Sequence, residues 1–133
     1  MKQILFIILL IALIGCAKEP PKMAGAKWAD ALHDRDAKVR KKAAFTLGNI
    51  GPSDPAVLPA LMEALKDTDE GVRYEAILAL LKYGPGAEQA IPALTELREN
   101  DRDAGVRTAA GKALERIQGL SVSAVETSEP RSN

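Results

Sequence analysis

The chain carries one cysteine, Cys16, and one histidine, His33, while much of its charge sits in a short turn written three times. "DRDAKVR" stands at 34–40, "DTDEGVR" at 67–73 and "DRDAGVR" at 101–107. Nucleophilic catalysis needs a nucleophile beside a base, general acid–base chemistry needs a pair of working carboxylates, and metal chemistry needs a cluster of ligands. None of these sets can be assembled here. His33 falls at the end of a helical stretch, where an imidazolium meets the negative pole of the helix. No catalytic residue, metal ligand or cofactor is therefore expected, and the chemistry left to the repeated turns is the pairing of guanidinium with carboxylate.

The elements that would position those turns follow from the same spacing. Val39, Val72 and Val106 superpose at intervals of 33 and 34 residues, the length of a helical-hairpin repeat. Counting from each valine, positions 4, 7, 8 and 11 are Ala43, Thr46, Leu47 and Ile50, then Ala76, Ala79, Leu80 and Tyr83, then Ala110, Ala113, Leu114 and Ile117. These offsets make one stripe of a helix with 3.6 residues per turn. Asp36, Asp69 and Asp103, three residues before the valines, suit N-caps, and Gly51, Gly84 and Gly119 suit a left-handed close. A less regular helix precedes each turn, in "MAGAKWADALH" at 23–33, "PAVLPALMEALK" at 55–66 and "EQAIPALTELREN" at 88–100. Its inner stripe is Leu58, Leu61, Met62 and Leu65 in the middle copy, with Trp28 and Leu32 taking the places of Leu61 and Leu65 in the first.

A hairpin of two such helices exposes apolar surface beyond the face it shares with its own partner, and stacking on the next hairpin removes that surface from water. The expected fold is all-α, a short α-solenoid of three hairpins at about 24–51, 55–84 and 88–119. The pattern D-x-D-x-x-V-R-x-x-A-x-x-x-L-x-x-[I/Y] resembles the HEAT repeats, in particular the short HEAT-like units of phycobilisome lyases. In that family the turn aspartate and the following arginine often form a ladder between adjacent repeats. The resemblance implies such a ladder from Asp34 or Asp36, Asp67 or Asp69 and Asp101 or Asp103 with Arg40, Arg73 and Arg107. Deoxyhypusine hydroxylases share the scaffold but hold iron through repeated His-Glu pairs, which are absent from this sequence. Neither end shows a distinctly polar capping repeat, so self-association through a terminal face is one expectation.

The first sixteen residues, "MKQILFIILLIALIGC", have the basic start, apolar middle and small residue before the end that mark an export signal. The apolar run Ile4 to Ile14 spans 11 residues, against roughly 20 for a helix crossing a bilayer. Leu13-Ile14-Gly15-Cys16 resembles the lipobox of bacterial lipoproteins, which implies cleavage before Cys16 and a diacylglycerol on its sulfur. With no second cysteine to form an intramolecular disulfide, lipid attachment also accounts for the thiol. The expected place is the bacterial cell envelope, membrane-anchored, with the outer membrane favoured because Ala17 rather than aspartate follows the cysteine. Residues 17–26 read as a tether and 120–133 as a polar tail, disordered beyond about Val125, with Leu120, Val122 and Val125 able to fold back.

Lysine plus arginine and aspartate plus glutamate each number 18, so no overall field draws the chain to nucleic acid. What remains is a surface. At 100° per residue, positions 2 and 9 after each valine point away from the core: Lys41 and Gly48, Tyr74 and Leu81, Thr108 and Glu115. Tyr74 and Leu81 are an aromatic and an aliphatic on a face otherwise wet, and with Lys41 they form the candidate partner-binding surface. Phe45 and Leu78 point sideways and are expected to pack between repeats. The function expected is a non-catalytic interaction scaffold for an envelope protein, with an accessory subunit of an envelope enzyme or a self-associating structural module as alternatives.

Overall fold

The computed structural model describes residues 23–119. They form six α-helices: α1 Met23–Ala31, α2 Ala37–Ile50, α3 Val57–Ala64, α4 Glu70–Tyr83, α5 Ile91–Asn100 and α6 Ala104–Ile117. Short 3-10 segments, Gly51–Ser53 and Gly84–Ala90, join one hairpin to the next. The described residues contain no strand and no helix long and apolar enough to cross a membrane. Three hairpins, α1/α2, α3/α4 and α5/α6, stack so that α2 packs on α4 and α4 on α6. This is the short α-solenoid that the repeat period predicts.

The local chemistry of each second helix explains why it begins and ends where it does. Asp36, Asp69 and Asp103 lie in extended backbone, and their carboxylates accept from the N–H groups of Lys38, Val72 and Val106, satisfying donors that have no intrahelical partner. At the other end Gly51 and Gly84 take φ of 72° and 57°, and their N–H groups donate to Leu47 and Leu81. The positive φ agrees with the sequence. Yet ψ is −164° at Gly51 and −136° at Gly84, away from the left-handed helical well and toward a region open essentially to glycine alone. That turn throws the chain straight into the proline-led 3-10 segment that leads to the next hairpin.

Leu47, Leu61, Leu65, Ile77, Leu80, Leu94, Val57, Val72 and Val106 fill the core and are fully buried. Val39 departs from its two counterparts: it is only half-buried. Among the described residues no hairpin precedes α1/α2, so the side of α2 that would be covered by an earlier repeat stays open. Helix α1 starts at Met23, as the stretch at 23–33 predicts, so Met23 to Ala26, which the tether range 17–26 also took in, belong to the helix. Trp28 and Leu32 take the inward places expected of them, Leu32 buried and Trp28 partly so.

Candidate functional site

Two features of this stack could carry function: the charged ladder along the turns and the face made by α2, α4 and α6. In the ladder, Arg40 donates from Nε and Nη2 to Asp67 Oδ2 and Oδ1 at 2.8 and 3.0 Å, a two-pronged pair. Its Nη1 donates to the carbonyls of Asp34 and Arg35 in its own turn at 2.9 and 3.2 Å. Arg73 repeats the arrangement one hairpin on, with Nε and Nη2 on Asp101 at 2.7 and 2.9 Å and Nη1 on the carbonyls of Asp67 and Thr68. Each arginine therefore clasps its own turn with one nitrogen and the next turn's carboxylate with two.

The sequence left open which aspartate of each turn pairs with arginine, and the structure divides the work. The first of each turn, Asp67 and Asp101, bridges hairpins, while the second, Asp69 and Asp103, caps its own helix as Asp36 does. The bridging carboxylates also accept from the N–H two residues on, which fixes their orientation before the arginine arrives. Burial pushes the Asp101 carboxyl up, but the Arg73 hydrogen bond, the Asp103 N–H and the nearby charges of Arg73 and Arg107 outweigh it and hold the group below the usual carboxylate range. Asp67 is held low by the same balance, through Arg40, the Asp69 N–H and Arg73. The Asp101 hydrogen bond in turn raises Arg73. Asp101 keeps only 4% of its side chain exposed, so this pair is sheltered rather than wet. Asp34 and Arg107 stand at the two ends: Asp34 accepts from the Asp36 N–H, and Arg107 donates from Nη1 to the carbonyls of Asp101 and Arg102. Neither has an ion-pair partner among the described residues.

On the helix face, Tyr74, Leu78 and Leu81 of α4 line a groove of about 390 Å³ with Ala104, Gly105, Thr108, Ala109 and Lys112 of α6. Tyr74 is 39% exposed there, and Leu81 is half-buried at the edge of the core. The structure thus brings Tyr74 and Leu81 together in one groove. Lys41 lies elsewhere, exposed on α2, with its stem running beside Gly71 of α4. Two neighbours depart from the helical-wheel reading. Gly48, placed on the wet side above, is buried, and a methyl added there would stand 2.7 Å from Ala79 Cβ. Phe45, expected between repeats, is 52% exposed, with Lys82 Nζ over its ring at 5.7 Å. Gly48 thus faces α4 at Ala79, while Phe45 turns outward beside Lys82.

The sequence reading missed Asp54, which is buried and ties the first hairpin to the second. Its Oδ2 accepts from the Gly25 N–H of α1 at 3.1 Å and its Oδ1 from Ala56 N–H at 3.0 Å. A Ser-Asp-Pro sequence before a helix could have suggested a cap, but not one reaching 29 residues back. The Tyr83 hydroxyl is buried without a hydrogen-bond partner among the described residues. Its burial, and then the charge of Asp54, push it above the ordinary tyrosine range. His33 is exposed in the turn after α1, and among the described residues no group of three or more His, Cys, Asp or Glu is placed to hold a metal. Cys16, the tether before Met23 and the tail from Leu120 lie outside the described residues.

The family described as HEAT repeats matches residues 25–115, most of the chain and all three hairpins. The chain belongs to the HEAT repeats. No curated protein matches it significantly. Membership agrees with the geometry: a HEAT stack is a helical scaffold of stacked hairpins. In this one the turn ladder joins successive hairpins, and the row α2, α4 and α6 presents a groove between α4 and α6.

Proposed function

We propose that this HEAT stack is a non-catalytic docking module of the bacterial cell envelope, anchored to the membrane through a lipid on Cys16. The observation that carries the docking role is the groove between α4 and α6, where Tyr74, Leu78 and Leu81 gather against small residues of α6. An exposed tyrosine beside aliphatic side chains provides large contact area at low conformational cost, as binding hot spots do. The Arg73–Asp101 pair supports that role by joining the two hairpins whose helices form the groove. The anchor rests on the lipobox-like Leu13-Ile14-Gly15-Cys16 and on the short apolar run before it.

A photo-crosslinker in place of Thr108, on the α6 wall of the groove, in detergent-solubilised envelopes, is expected to capture one stoichiometric protein. Tyr74→Ala combined with Leu81→Ala is expected to abolish that capture while leaving the helical signal intact. Persistence of the same adduct in the double variant refutes the groove. The anchor is tested separately, since Cys16→Ala should stop incorporation of labelled fatty acid.

A further inference from the structure

The ladder has two unfinished ends, and they match each other. Arg107 is held by its own turn as Arg40 and Arg73 are: Nη1 donates to the carbonyls of Asp101 and Arg102 at 2.7 and 3.1 Å, where Arg73 donates to Asp67 and Thr68 at 2.8 and 3.2 Å. Its Nε and Nη2, the two donors that grip a carboxylate at the inner junctions, have no partner among the described residues. At the opposite end Asp34 is set as Asp67 and Asp101 are, its Oδ1 accepting the N–H two residues on at 2.8 Å against 2.9 Å in the others. It has no arginine among the described residues. We infer that the HEAT stack associates head to tail with a second copy of this chain, Arg107 of one copy closing on Asp34 of the next.

Continuity with the inner junctions says what else meets. Between α2 and α4, Gly48 lies beside Glu75, Ala79 and Lys82. Two repeats later, on α6, the place of Gly48 is taken by Glu115, and on α2 of a following copy the places of Glu75, Ala79 and Lys82 are taken by Lys42, Thr46 and Asn49. Glu115 and Lys42 are both exposed and opposite in charge. The ends are thus more polar than the sequence suggested: association runs through charged groups rather than through bare apolar faces. The same register sets Lys112 near Lys42, a like-charged pair that keeps the contact weak. Because the two faces differ, the contact is heterologous and its repetition gives an open filament, not a closed dimer. This surface is separate from the groove at Tyr74 and Leu81.

The test is sedimentation of the full chain in detergent over a range of concentration and salt. Size is expected to grow with concentration without a closed limit and to shrink as salt screens the charges. Asp34→Arg and Arg107→Asp should each weaken association about tenfold or more, the worth of one charge-assisted pair. An equimolar mixture of the two variants should recover association between unlike chains, because Arg107 of the Asp34→Arg chain again meets Asp34 of the Arg107→Asp chain. Asp34→Asn and Arg107→Gln serve as milder variants if a reversal lowers helicity, and should weaken association in the same direction. Tyr74→Ala with Leu81→Ala should leave size unchanged, which separates this inference from the docking role. A chain that stays at the size of one copy throughout overturns the inference, as does a mixture that fails to recover. So does an Arg107→Asp change that exposes the segment after Gly119 to protease without altering size, since Arg107 would then be covered by the chain's own Glu126 or Glu129.

Discussion

The two inner junctions of this stack carry the same ladder but differ in how closely their helices meet. Between α2 and α4, Gly48 sits against Ala79 and the surface hollow beside them is about 60 Å³. Between α4 and α6 the place of Gly48 is taken by Leu81, and the groove grows to about 390 Å³. The ion pairs are nearly superposable, 2.8 Å at one junction and 2.7 Å at the other. The ladder therefore repeats unchanged while the hollow beside it differs, with glycine at one junction and leucine at the equivalent place in the other. A binding groove can be opened or closed at one junction without disturbing the rest.

The sharpest way to break that comparison is to make the first junction resemble the second. Gly48→Leu is expected to destabilise the fold by about 2–3 kcal/mol, since the added side chain must displace Ala79, and thermal unfolding would report it. If stability is unchanged, the closeness of α2 and α4 is not set by this glycine. Next in size is the ladder itself. Asp101→Ala should cost about 2 kcal/mol at neutral pH, the net worth of hydrogen bonds to a charged group, measured by urea unfolding. Asp101 and Asp67 are held below the ordinary carboxylate range, so their contribution is complete above the unfolded value of about 3.9 and fades as pH falls through the lower folded value. The Asp101→Ala chain should show a shallower loss of stability below about pH 4 than the unaltered one.

Asp54→Ala removes the acceptor of the Gly25 and Ala56 N–H groups and should cost about 1 kcal/mol, the scale of a lost cap. Hydrogen exchange should rise first in α1, which rests on that tie. The smallest effect is expected at Tyr83. Its hydroxyl is buried and unpaired, so Tyr83→Phe should cause no loss and a gain of up to about 1 kcal/mol. A clear loss would mean that the hydroxyl has a partner.

What could be read from the sequence was whatever repeats. The caps Asp36, Asp69 and Asp103, the closing glycines and the arginines of the ladder each occur in register, so each copy supports the assignment of the others. The division of labour between the two aspartates of a turn was not legible, because both lie within reach of the same arginine and only the backbone decides which faces outward. Gly48 and Phe45 were misplaced because a helical wheel describes one helix alone, whereas their exposure depends on how near the next helix comes. Asp54 occurs once, and its partner in α1 is far away in sequence. Val39 obeys the repeat but, among the described residues, has no earlier hairpin to finish burying it.

The two-handed grip of each arginine has a consequence for how such a chain changes length over generations. A tandem duplication of one module by unequal crossing-over supplies both halves of a new rung at once, an arginine for the turn after it and an aspartate for the turn before. The enlarged array would need no compensating change along its turn edge. Evolution can then adjust reach by copying and adjust the gaps by point substitution, as two independent dials.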